Sequence, residues 1–518
     1  MPHKSWFKPG FQTQLAITAN CLHAFFLFGY DQGVFGGLIS NPDFLDIVDH
    51  PGDGLLGFIV SSYNLGCLSG CIVTFFVGGR LGRRPTLWLA MSVLVIGATL
   101  QATAYGVPQM IVGRIVAGLG IGVNTATVPM YQAELCKSDV RGRLVTTEVL
   151  FTALGIAVAY FFAFGMDFVG GAVAWRLPIA AQTLPAILIS IVLFGLPETP
   201  RYLMARGNVE EAIVVMCQVY NLSADDESVQ REKNEILAAL EVEGDAKAHW
   251  SSLFKKDRVQ TGWRVCLAVL ALSFNQWVGI NVVVFYIAIV LEQSVGLSRQ
   301  MALIAGGCIN LAFAFGSLVP ALYLDRVGRR KPMSESKGAP QLSILISDQF
   351  DLVIGSIGMG ICLAIIAALL SFEGTEKEAI TGKTCVAIFV LYMIFFGASL
   401  NAIPWCYAPE ILPLKARAKG TSLAVMVNWT FVFLIVMITP TMFANISWKT
   451  YLVFMACNFA MAPAIYFWFP ETSNLTLEEI DHLFIKDEMV TIDGSREKEV
   501  HSDMNQADKN AGCSEHIS

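Results

Sequence analysis

Apolar stretches long enough to cross about 30 Å of hydrocarbon alternate with short polar links along most of the chain. They fall near residues 15–39, 55–78, 86–104, 108–131, 145–165 and 177–196. After a polar interval they resume near 263–291, 300–324, 353–371, 383–408, 418–440 and 448–469. This pattern predicts an all-α membrane protein with twelve transmembrane helices in two six-helix halves. The interval itself, 197–262, holds helix-like runs from Asn208 to Val219 and from Asp225 to Val242, read as short surface helices. The remaining divisions are a leading segment at 1–14, halves at 15–196 and 263–469, and a polar tail at 470–518. The first apolar stretch lacks a small-residue cleavage site, so it is read as the first membrane helix rather than a signal peptide.

The polar links repeat as well. Gly79-Arg80-Leu81-Gly82-Arg83-Arg84-Pro85 follows the second apolar stretch, and Asp325-Arg326-Val327-Gly328-Arg329-Arg330-Lys331-Pro332 follows the eighth. A basic, Gly-containing turn at the same place in both halves indicates a duplicated unit, the sequence signature of a transporter whose site lies between its repeats. Basic residues also fill the 4–5 link (Lys137, Arg141, Arg143) and the 10–11 link (Lys415, Arg417, Lys419). The opposite links are neutral or acidic, as at Asp43, Asp46, Asp49 and Asp53. The positive-inside rule then puts both termini and the middle loop in the cytosol, with the plasma membrane as the expected location.

Composition agrees. Apolar residues are 54% and charged residues 15% of the chain, against about a quarter charged in soluble domains. The net charge of −7 comes mostly from the middle loop and tail. The basic residues sit at helix ends, where topology accounts for them, so no nucleic-acid partner is expected. Twelve cysteines include no CxxC pair, and no metal or cofactor is expected. No nucleophile–base set or phosphate-binding loop is present, which argues against an enzyme.

One stretch breaks the repeat. The second-half Glu410 element arrives later after its Gly-Arg-Arg turn than the first-half Glu134 element does. The extra length is assigned to Ser334–Leu352. Codons for Ser334-Glu335-Ser336, Ser347-Asp348 and Leu352-Val353 can hold an in-frame splice donor, branch point and acceptor. Two readings stay open: a retained intron in the gene, or a cytosolic insertion.

Asp31, in Gly29-Tyr30-Asp31-Gln32-Gly33, places a carboxylate in the middle of the first membrane helix. Such a group is costly in lipid and marks a proton or substrate site. Arg114 opens the fourth helix and is its natural counter-ion; the alternative is a permanent pair that only staples the helices. Arg80, Arg83, Arg84, Glu134 and Arg141 in the first half, with Asp325, Arg326, Arg329, Arg330, Glu410 and Arg417 in the second, are read as a cytosolic gating network.

These strings resemble the sugar porters of the major facilitator superfamily, most closely the fungal proton-coupled sugar and polyol transporters. The matching text includes GYDQGVFGG (29–37), GRLGRRP (79–85), GRIVAGLGIG (113–122), PMYQAEL (129–135), PETPR (197–201), NQWVGINVVVFY (275–286) and PWCYAPEILPLKARAKG (404–420). The resemblance implies the major facilitator fold and proton symport of a monosaccharide or polyol by alternating access in a monomer. It assigns sugar contact to Asn275, Gln276, Asn281, Asn310, Trp405 and Asn428, where amides offer donor and acceptor together. Read alone, such amides more often bond neighbouring helices. Departures stand out: Val149 replaces a usual Gln, Phe285 a usual Tyr, and Gly79 a usual acid. Export or facilitated movement of another small metabolite, and a non-transporting nutrient sensor, stay open as alternatives.

Overall fold

The computed structural model describes residues 6–136, 141–245, 253, 257, 259–328, 348–372, 375, 378–472, 480 and 483–484. Among them the chain is helical throughout. The first half contains α1 (Phe11–Leu38), α2 (Pro42–Ile47), α3 (Asp53–Leu81), α4 (Arg83–Ala102), α5 (Val107–Leu135), α6 (Arg141–Asp167), α7 (Gly171–Ala181) and α8 (Thr183–Gly195). The middle segment forms α9 (Pro200–Ala205), α10 (Val209–Tyr220) and α11 (Glu227–Asp245). The second half contains α12 (Thr261–Trp277), α13 (Ile280–Gln293), α14 (Arg299–Gly328), α15 (Asp348–Leu370), α16 (Glu378–Ala398), α17 (Ile403–Ile411), α18 (Leu414–Ile446) and α19 (Lys449–Trp468).

Eleven spans among the described residues are long and apolar enough to cross a membrane, three of them built from two consecutive helices. The helix α1 completes the set of twelve. It is long enough, but Asn20, His23, Asp31 and Gln32 lower its apolarity. It can carry Asn20 and Asp31 because they are buried inside the bundle, where α1 packs on α6, α5 and α13, whereas His23 is exposed and bonds the Ala19 carbonyl of its own helix. Large apolar side chains such as Phe76, Ile96, Leu184 and Phe467 are exposed on the outside of the bundle, where soluble proteins avoid them and lipid accepts them.

Close packing within the first half rests on small residues. A Cβ at Gly118 of α5 would lie 2.1 Å from the Tyr63 carbonyl of α3, and one at Gly122 would lie 2.1 Å from that of Cys67. The Gly-rich run in the fourth membrane helix therefore permits backbone contact between α3 and α5. The halves meet chiefly along α6 with α14 and α3 with α18.

Two boundaries differ from the sequence expectation. The sixth membrane segment is two helices, α7 and α8, that meet at Gln182 between Pro178 and Pro185. The helix α15 starts at Asp348, inside the 334–352 stretch. Gln349 there donates to the carbonyls of Ile465, Tyr466 and Phe469 at the end of α19, and Leu352 is buried. These contacts extend the helix past the apolar pattern. Residues 334–347 lie outside the described residues, as do Arg329, Arg330 and the tail beyond 484.

Candidate functional site

Broken helices create the site. The α12–α13 span interrupts at Val278 and Gly279, where Gly279 takes φ +94° and a Cβ would meet the Phe454 ring at 2.9 Å. The α16–α17 span breaks between Ala398 and Ile403. Each break turns amide-bearing residues inward at the centre of the bundle. Asn275 and Gln276 end α12, Asn281 opens α13, Asn401 lies in the second break and Trp405 begins α17. Asn428 and Trp429 come from the middle of α18. Together with residues from α1, α5, α6 and α14 they line a central cavity, part of it open to solvent.

The second-half amides form one network. The Gln276 amide donates to Asn275 Oδ1 and to Asn428 Oδ1, both at 2.7 Å, and Gln276 Oε1 accepts from Asn281 at 2.7 Å. Asn275 in turn donates to the Leu400 carbonyl beside the second break, and Asn401 donates to Ser317 Oγ at 2.9 Å. Five of the six sequence-assigned contacts are thus gathered in the cavity lining: Asn275, Gln276, Asn281, Trp405 and Asn428. Asn310 does not join them. Its amide turns back to the Gly306 carbonyl of its own helix at 2.9 Å, which holds it away from the lining.

The first-half wall was largely unassigned from sequence. It consists of Phe25, Phe28 and Gln32 of α1, Thr125 of α5, and Val149, Thr152 and Ile156 of α6. Gln32 carried a signal, since it adjoins Asp31 within a recognised motif. Thr125 and Thr152 carried none, because a hydroxyl in an apolar helix ordinarily bonds its own backbone. They do so here, to the Gly122 and Glu148 carbonyls.

Asp31 points away from this cavity into the first half. It is 1% exposed, and among the described residues neither carboxylate oxygen has a partner in good hydrogen-bond geometry. The Arg114 charge acts on it, and Tyr63 and Gln182 flank it. Arg114 is fully buried. Its Nη2 donates to the Val60 carbonyl at 2.6 Å, and its guanidinium lies 3.5 Å from the centre of the Phe35 ring. Among the described residues, Arg114 Nε and Nη1, the Tyr63 hydroxyl and both ends of the Gln182 amide likewise lack a partner in good geometry, while Tyr63 and Gln182 lie close enough to act on Asp31. Buried polar atoms are rarely left so, and here they surround a single carboxylate.

Charged contacts close both ends. On the face opposite the basic links, Arg299 at the start of α14 reaches across to the first half. Its Nε donates to Asp167 Oδ1 at 2.7 Å, Nη1 to Ser40 Oγ at 2.5 Å and Nη2 to the Gly37 carbonyl at 3.0 Å. Glu292 of α13 accepts from Ser40 at 2.8 Å. Sequence reading missed this clasp, because its members stand singly in short links.

On the basic face, Arg83 donates to Glu134 at 2.8 Å, joining α4 to α5. Arg84 donates to the Leu193 and Phe194 carbonyls at the end of α8. Arg80 is exposed. Glu198, also missed, accepts from the backbone N–H of Arg83 and of Arg84 at 3.1 Å, capping α4. Burial pushes its carboxyl above the usual value, against the pull of those N–H groups. In the second half Arg417 donates to the Leu412 carbonyl at 3.3 Å, and Glu410 lies near the end of α17. Asp325 and Arg326 fall in the last turns of α14, and Arg141 opens α6.

Residues 16–484 match the family described as sugar (and other) transporter. The MFS-type transporter oryC of Aspergillus oryzae is 35% identical, with 90% of this chain and 85% of that protein covered. The sugar transporter STL1 of Saccharomyces cerevisiae is 31% identical over 93% of this chain and 83% of its own length. Among solved structures, the MFS proton:xylose symporter XylE bound to 6-bromo-6-deoxy-D-glucose superposes with a TM-score of 0.74. That comparison covers 91% of this chain and 99% of XylE at 23% identity. The twelve-helix bundle is therefore a multi-pass membrane transporter and not an enzyme, and the chain belongs to the sugar transporter family of the major facilitator superfamily.

Proposed function

We propose that this protein is a monomeric plasma-membrane symporter that imports a monosaccharide or polyol together with protons, by alternating access. The observation that carries the reading is the buried Asp31 cluster beside a cavity lined with amides. Asp31 and Gln32 are neighbours on α1; one faces the buried polar cluster and the other the substrate space. Arg114 rests on the Val60 carbonyl and the Phe35 ring, and a proton arriving at Asp31 removes the charge that would draw it off them, while loss of that proton restores the pull. A change in α1 packing then reaches Gln32 through one peptide unit. The amides of the second half hold the hydroxyls of the cargo, and Trp405 offers an apolar face for its ring. The clasp at Arg299 and the Arg83–Glu134 pair would break and form in turn as access alternates.

Relatives support this direction. STL1 is named a sugar transporter and XylE a proton:xylose symporter. The test is uptake in yeast lacking its own hexose transporters, with labelled D-glucose, D-xylose, sorbitol and glycerol and a pH electrode in the medium. Saturable uptake of at least one compound with alkalinisation of the medium is expected. Saturable uptake with no alkalinisation would leave a facilitator, and no uptake of any would favour export or another metabolite.

A further inference from the structure

The two walls of the cavity differ in chemistry. The second-half wall offers Asn275, Gln276, Asn281, Asn401 and Asn428. Among the described residues the Asn428 amide N–H groups and the Asn281 and Asn401 oxygens have no hydrogen-bond partner, so they can still bind a ligand. The first-half wall offers Phe25, Phe28, Val149 and Ile156, and among the described residues Gln32 is its one side-chain amide. Its two hydroxyls, on Thr125 and Thr152, already donate to their own helices. Val149 sits at 8% exposure at one end of the α6 contribution, one helical turn from Thr152 and two from Ile156.

A fully hydroxylated sugar seated here finds five amides among the apolar residues of the second-half wall, and on the first-half wall one amide, Gln32, with two Thr hydroxyls left only as acceptors. A hydroxyl pressed against Val149 and Ile156 loses its water and gains nothing, and an unpaired buried hydroxyl is unfavourable. We propose that the preferred cargo is a two-faced sugar. One edge carries hydroxyls toward the second-half amides, and the opposite edge is deoxygenated and packs on Phe25, Phe28, Val149 and Ile156. Val149 is then a specificity-determining residue. This inference rests on the sugar-transport reading and narrows it.

The test compares D-glucose with the 1-, 2-, 3-, 4- and 6-deoxy-D-glucoses as probes. Binding to the full-length purified protein is read by quenching of tryptophan fluorescence, since Trp405 and Trp429 line the cavity. At least one monodeoxy sugar is expected to bind roughly tenfold tighter than D-glucose. Val149→Thr, nearly isosteric, and Val149→Gln should each shrink that ratio at the same sugar position. The ratio is internal to each preparation, so loss of folded protein does not alter it. D-glucose binding more tightly than all five, or a ratio unchanged in both variants, overturns the inference while leaving sugar transport standing. Binding by none of the six overturns the sugar reading and this inference with it.

Discussion

In the first half, the buried polar chemistry is ionic and under-satisfied: Asp31 and Arg114 sit among unpartnered atoms of Tyr63 and Gln182. On the second-half wall of the cavity it is neutral, with Gln276 spending both N–H groups and its oxygen on Asn275, Asn428 and Asn281. The contrast has a physical origin. A charge in low dielectric responds to a single proton by several kcal/mol, which suits a coupling device. A neutral amide network changes little with pH and can exchange protein partners for hydroxyls at near-constant free energy. One half is built to sense protons and the other to hold cargo, and the cavity lies on their seam.

The division can be broken most strongly at Gln276. Replacing it with Ala strands groups on Asn275, Asn281 and Asn428, each worth about 1 kcal/mol. Affinity for the cargo should fall roughly 10- to 100-fold, while the pH dependence of the remaining uptake keeps its shape. Concentration and pH series on the same cells separate the two effects. A pH profile shifted by Gln276→Ala would erase the proposed division.

Arg299→Gln should come next. The clasp is mostly shielded, with Arg299 17% and Asp167 14% exposed at the side chain, so its loss should bias the equilibrium toward an outward-open form by roughly tenfold. Labels at Val169 and Gln300, both exposed on that face, should report a longer distance. An unchanged distance distribution would show that the clasp does not hold the outer end.

Smaller effects belong to the basic face. Arg83→Gln removes a pair within one half, so a fall in transport rate of about threefold is expected, in line with a partly exposed ion pair. Cargo affinity should not change, as uptake kinetics can establish. Glu198→Ala removes the acceptor capping α4 and should cost about 1 kcal/mol of stability, read as a lower melting temperature in detergent with sugar binding retained.

Much of this was legible in the chain and some was not. Apolar periodicity and the repeated basic turns located the membrane helices, because lipid forces every span to be apolar and self-bonded. The weakest span by composition, α1, is the one whose Asn20 and Asp31 are buried inside the bundle. The cavity amides were legible because helix breaks at Gly279 and near Leu400 bring motif residues inward. Asn310 was not, since its choice between the cavity and the Gly306 carbonyl depends on a rotamer that no sequence pattern fixes. Arg299, Asp167, Ser40 and Glu292 stand far apart in the chain and meet only when the halves close. Glu198 capping α4 is equally non-local. Val149 stood out in the sequence as a departure and Gln32 as a neighbour of Asp31, but that both face one cavity wall depends on the packing of α1 against α6.

The central claim is that Asp31 ties cargo movement to protons. Purified protein in liposomes, given an inward proton gradient and a labelled sugar that yeast uptake has identified, tests it directly. Wild-type protein should concentrate the sugar above the outside level only while the gradient lasts, and Asp31→Asn should at most equilibrate it, with no response to pH. Equal accumulation by Asp31→Asn under the same gradient would contradict the account.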